Sequence, residues 1–113
     1  MDALLGKMKE YLKMDSEIPF TEFKDYYQQL IDCLQAGYEK MERPELLTAK
    51  FVLDIVNSNS KYRAQRKGAD SKKYKKISEK TSFWSDAINY RLIKEGMTQE
   101  EIDAGLAQIG QEE

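Results

Sequence analysis

The chain has 113 residues, 41% apolar and 34% charged, with 18 Lys and Arg against 20 Asp and Glu, one cysteine and no histidine. That length and apolar content suit one compact domain that buries about two-thirds of its unfolded surface. The lone Cys33 excludes an internal disulfide, and the missing histidine excludes His-ligated zinc, Ser-His-Asp and Cys-His catalysis, and Glu-x-x-His di-metal sites.

Residues 2–14 wind Leu4, Leu5, Met8, Tyr11 and Leu12 onto one side and predict a short amphipathic first helix. The N-terminus lacks the apolar run of a signal peptide, and no stretch approaches the length needed to cross a bilayer. Asp15 to Pro19 breaks the helix, because Pro19 pushes Ile18 out of the helical region. Residues 21–41 give the cleanest pattern, with Phe23, Tyr26, Tyr27, Leu30, Ile31, Leu34, Tyr38 and Met41 on one face. Thr21 is the expected N-cap, and Gly37 on the apolar side is expected to let another helix approach closely. Cys33, at the edge of that face, reads as a half-buried structural thiol.

Pro44 opens a third helix whose apolar residues, from Leu46 to Val56, point almost all round. Only Lys50, Asp54 and Asn57 form a narrow polar stripe, so this helix is expected at the centre of a bundle, running on to Gly68. A fourth helix, capped by Asp70 or Ser71, is expected to reach Glu95 with Tyr74, Ile77, Trp84, Ile88 and Leu92 as its stripe. On this hairpin Trp84 is expected against the third helix near Val52 to Asn57. Gly96 stops the helix, and Thr98-Gln99-Glu100-Glu101 is a capping box for a fifth helix carrying Ile102, Leu106 and Ile109. GMTQEEIDAGLAQIG resembles the opening helix of many bacterial helix-turn-helix domains, which implies that a recognition helix should follow. The chain ends instead at Gln111-Glu112-Glu113, so the segment is read as a cap. The expected fold is all-α: a single-domain bundle of about five helices around a long hairpin of helices three and four.

No G-x-G-x-x-G or G-x-x-x-x-G-K-[ST] loop is present, and the acids fall on polar helix faces rather than in an inward pair. We therefore expect neither an enzyme nor a cofactor or metal. The five methionines and seven tyrosines, at helical spacing, read as packing residues.

The feature that remains is charge separation. Residues 61–80 hold nine cations and two acids, a net +7, while the other 93 residues, with nine cations and 18 acids, carry −9. On a hairpin turning at Gly68-Ala69 these cations gather at one projecting, solvated tip. Lys61, Arg63, Arg66 and Lys67 suit a helix C-terminus, but Lys72, Lys73, Lys75 and Lys76 stand at the next N-terminus, where the dipole disfavours them. That quartet is the excess that calls for a partner. One candidate is a nucleic-acid backbone, bound by Lys61, Arg63, Arg66, Lys67, Lys72, Lys73, Lys75, Lys76 and Lys80, with Tyr62 and Tyr74 stacking on unpaired bases. The alternative is an adaptor or assembly role, with the tip on an acidic protein or on this protein's own acidic surface. A membrane partner is not expected, since no apolar face backs the charges. A reducing cytoplasm is the expected compartment, and the oligomeric state, a homodimer included, stays open.

Overall fold

The computed structural model describes residues 1–66 and 68–112. Five α-helices follow in order: α1 Asp2–Leu12, α2 Phe20–Gly37, α3 Arg43–Ala64, α4 Ser71–Lys94 and α5 Gln99–Gln111, with a turn of 3-10 helix, Tyr38–Lys40, between α2 and α3. Among the described residues there is no strand. The fold is the all-α bundle with a central α3–α4 hairpin that the periodicities predict. No helix among the described residues is long and apolar enough to cross a membrane.

The core gathers residues from every helix. Leu30, Leu34, Leu46, Leu53, Ile88, Leu92 and Ile102 are fully excluded from solvent, each contributing about 1.5–3 kcal/mol of transfer free energy. α3 is the axis, with α4 along its length and α1 and α5 on its flanks. At the far end of the hairpin Arg91 fastens α4 to the α2–α3 connection, its guanidinium donating to the Tyr38 and Met41 carbonyls at 2.6 and 2.8 Å.

The polar stripe of α3 faces α4, with Asp54 at its half-exposed edge. Lys50 is buried and donates to Ser85 Oγ at 2.8 Å, and Ser85 in turn donates to Asp54. Asn57 Nδ2 donates to the Ser78 carbonyl at 2.7 Å and to Thr81 Oγ1 at 3.2 Å. Ser71, Ser78, Thr81 and Ser85 are the α4 half of this seam. Their small side chains let the two helices approach closely, and every hydrogen bond across the seam belongs to one register. A polar ladder of this kind fixes how the hairpin is aligned, which an all-leucine seam would leave degenerate.

Helix ends account for most departures from expectation. α2 begins at Phe20 with Pro19 at the N-cap and no side-chain cap, so Thr21 lies inside the helix. It ends at Gly37 rather than continuing to Met41, and a Cβ at Gly37 would meet nothing within 4 Å. The close approach occurs instead at Gly105 of α5, where a Cβ would lie 3.1 Å from Leu47 Cδ1. α3 stops at Ala64, short of Gly68, because Ser71 Oγ takes the Ala64 carbonyl and closes the hairpin early. Asp70 holds the N-cap position of α4 without a side-chain cap bond and pairs with Lys73 at 3.6 Å.

Two expected caps form as read. Gly96, at φ 110°, takes the left-handed conformation that ends α4, with Met97 N–H on the Leu92 carbonyl and Gly96 N–H on the Ile93 carbonyl. Thr98 and Glu101 make the reciprocal capping box of α5, and the hydrogen bonds from Thr98 hold the Glu101 carboxyl below its ordinary pKa. Trp84 is partly buried against the core, and its ring meets Tyr38 edge-on at 5.4 Å, just beyond the C-terminal end of α2.

Candidate nucleic-acid interface

The hairpin register brings the basic segment together and then divides it. Ser71 stands level with Ala64 and Ser78 with Asn57, so Lys61 stands level with Tyr74 and Lys75. Antiparallel packing of α3 on α4 thus gathers residues 61–66 and 71–80 at one end of a molecule 43 Å long.

Arg63 and Tyr74 do not belong to a solvated tip. Arg63 is 8% exposed and Tyr74 8%. Arg63 Nη1 donates to the Ile18 carbonyl and to the Tyr74 hydroxyl, each at 3.1 Å. Its guanidinium lies 4.6 Å from the Phe23 ring centre and 5.5 Å from that of Tyr74. Phe20 and Phe23 meet Tyr74 edge-on at 5.1 and 5.2 Å. The two residues form a buried arginine–aromatic cluster that ties α2 to both arms of the hairpin. A base cannot stack on a ring already enclosed by two phenylalanines, so Tyr74 leaves the candidate set, and Arg63 leaves with it.

Arg66 is neutralised. Glu17, in the α1–α2 connection, accepts from both terminal nitrogens of Arg66, at 2.8 Å from Nη1 and more closely from Nη2, and lies 4.0 Å from Arg63 Nε. The Arg66 hydrogen bonds hold the Glu17 carboxyl below its ordinary pKa. A carboxyl with a lowered folded pKa contributes stability that is present above the usual carboxylate range and is lost as pH falls through the folded value. Glu17 is half exposed, so solvent screening keeps the contribution under about 1 kcal/mol. Glu17→Gln should therefore lower the urea midpoint slightly at neutral pH, and the gap from wild type should close on acidification. A gap that stays constant across that range would mean the carboxylate charge is not what holds Arg66.

Lysines make up the remainder. Lys61, Lys72, Lys75, Lys76 and Lys80 are exposed, and among the described residues none of them has a carboxylate within 4 Å. Lys72, Lys75, Lys76 and Lys80 share an arc of about 140° on the side of α4 away from the core and span about 12 Å of its axis. Lys73 is partly engaged, paired with Asp70 and standing 5.2 Å over the Phe20 ring. Tyr62 is 62% exposed, with Arg66 4.7 Å from its ring centre. Lys67 lies outside the described residues.

Glu17 is the partner that sequence reasoning missed. It stands 49 residues from Arg66 in the chain, and nothing in its local pattern marks it. The enclosure of Tyr74 was legible, since this residue sits on the same helical stripe as Ile77, Ile88 and Leu92. Comparison with protein-family models, curated proteins and solved structures returns no match.

Proposed function

We propose that this protein is a non-enzymatic binding module that docks on the phosphate backbone of nucleic acid through Lys61, Lys72, Lys75, Lys76 and Lys80. One observation carries the reading: five exposed lysines without carboxylate partners among the described residues, four of them in the first ten residues of α4. The helix dipole opposes cations at this N-terminus, and their mutual repulsion adds to the cost. A polyanion relieves both. Lysines act as point charges rather than planar forks, so the contact recognises phosphate without reading sequence. The exposed Tyr62 ring supplies a platform for an unpaired base, which favours single strands.

The test is titration of a fluorescently labelled single-stranded oligonucleotide with wild type and with Lys72→Glu/Lys76→Glu. Two reversals remove two attractive contacts and add two repulsive ones, so affinity should fall about 100-fold or more with the helical circular dichroism unchanged. Equal affinity in the two proteins would overturn the reading. Poly-glutamate is the control for the acidic-protein alternative: if it binds as tightly as the oligonucleotide, the tip selects negative charge on a polypeptide equally well and the nucleic-acid reading fails.

A further inference from the structure

α4 has a second unpartnered region, beyond the lysines. Phe83 is 66% exposed, Tyr90 68% and Ile93 46%. Phe83 and Tyr90 are seven residues apart and fall within about 20° of one line on the helix, with Ala87 beside them. Large aromatics aligned on one outer helix face form a patch rather than scattered exposure, and patches of this kind mark contact surfaces. Glu79 and Lys94 flank the patch, both exposed and neither paired with an opposite charge among the described residues.

We propose that this face pairs antiparallel with the same face of a second copy of the chain. A two-fold axis at the Asp86–Ala87 step makes each residue meet the one equally far on the other side of that step. Phe83 then packs on Tyr90 of the second copy, and Glu79 lies across from Lys94 of the second copy. One axis satisfies the aromatic pair and the charge pair together, as an isologous interface requires. Charge selects the direction. A parallel arrangement would stack Lys72 and Lys76 of the two copies on each other. The antiparallel arrangement instead sets Lys76 just past the carbonyl end of the neighbouring α4, where the dipole is negative, and leaves Lys72 overhanging that end. Phosphate is a poor occupant of this face, because Glu79 and Asp86 stand along it. A lipid surface is also a poor one, since Glu79 and Asp86 would enter it with the aromatics.

The interface is small. With the axis at that step the two α4 helices overlap over residues 79–94, about 24 Å long and about 10 Å wide, so the face offers about 240 Å² per partner, below the about 800 Å² of a stable complex. The pairing is therefore reversible, with a dissociation constant expected at about 10–100 µM.

Sedimentation velocity of the nuclease-treated full chain, from about 10 µM to about 1 mM, tests this without any nucleic acid present. A concentration-dependent monomer–dimer equilibrium is expected. Phe83→Asp should weaken it more than tenfold. Glu79→Lys and Lys94→Glu should each weaken it about fivefold, and the two together should restore it. These residues are exposed, so thermal melts should match wild type and loss of dimer cannot be loss of fold. A monomer throughout the range overturns the proposal, as does a dimer indifferent to Phe83→Asp or one the double exchange fails to restore. Either result leaves the lysine tip untouched, so the two readings fail separately.

Discussion

Arg63→Ala is expected to destabilise the protein by about 2–4 kcal/mol in urea denaturation, whereas Lys61→Ala, two positions away, should stay within about 0.5 kcal/mol of wild type. The arginine is the only cation among the described tip residues that is 8% exposed. Its removal leaves the Ile18 carbonyl and the Tyr74 hydroxyl without their donor, a cost of about 1–3 kcal/mol per buried group before relaxation. It also removes a cation held against two aromatic faces, worth about 0.5–2 kcal/mol. Arg63→Lys should recover only part of the loss, because the shorter ammonium cannot both place a donor where Nη1 meets the two acceptors and stack a plane on Phe23. If Arg63→Ala proved as mild as Lys61→Ala, the division of the basic segment into an internal part and a free part would be wrong.

The second large effect concerns salt. Five lysines neutralising about five phosphates give a slope of log affinity against log salt near −3.5 on single strands and near −4.5 on duplex. A fourfold rise in salt should thus weaken single-strand binding about 100-fold, read directly from titrations at two ionic strengths. Base stacking on Tyr62 is not screened in this way, so Tyr62→Ala should lower affinity at every salt concentration and leave the slope unchanged. A flat salt dependence of wild-type binding would mean that contacts other than the lysines carry it.

The sequence made the helices legible because each carries its own evidence. Periodicity marks α2, Pro44 marks the start of α3, and Gly96 with the Thr98–Glu101 box marks the α4–α5 junction. These are local signals, set by the φ of glycine and by capping chemistry within a few residues. What covers a face is not local. Lys50, Asp54 and Asn57 stand on a polar stripe whether water or Ser85, Thr81 and Ser78 lies opposite. The clue was on the other helix of the hairpin, where Ser71, Ser78 and Ser85 recur at seven-residue spacing beside the apolar stripe and give α4 a line of small polar residues. Tyr74 was legible twice over, as a member of an apolar stripe and as a residue among lysines, and burial decides for the stripe. Arg63 could be assigned only once α2 brought Phe23 and Ile18 to it. Charge composition located the cation-rich end of the molecule, and tertiary packing selected which of its described cations remain free.

The most direct test of that selection is amide chemical-shift mapping of the isotopically labelled chain as a short single-stranded oligonucleotide is added. The largest changes are expected at Lys61, Tyr62, Lys72, Lys75, Lys76 and Lys80, with Trp84 and the core of α2 unmoved. Changes centred instead on Phe83 to Ile93 or on α5, or no changes at a saturating concentration, would contradict it.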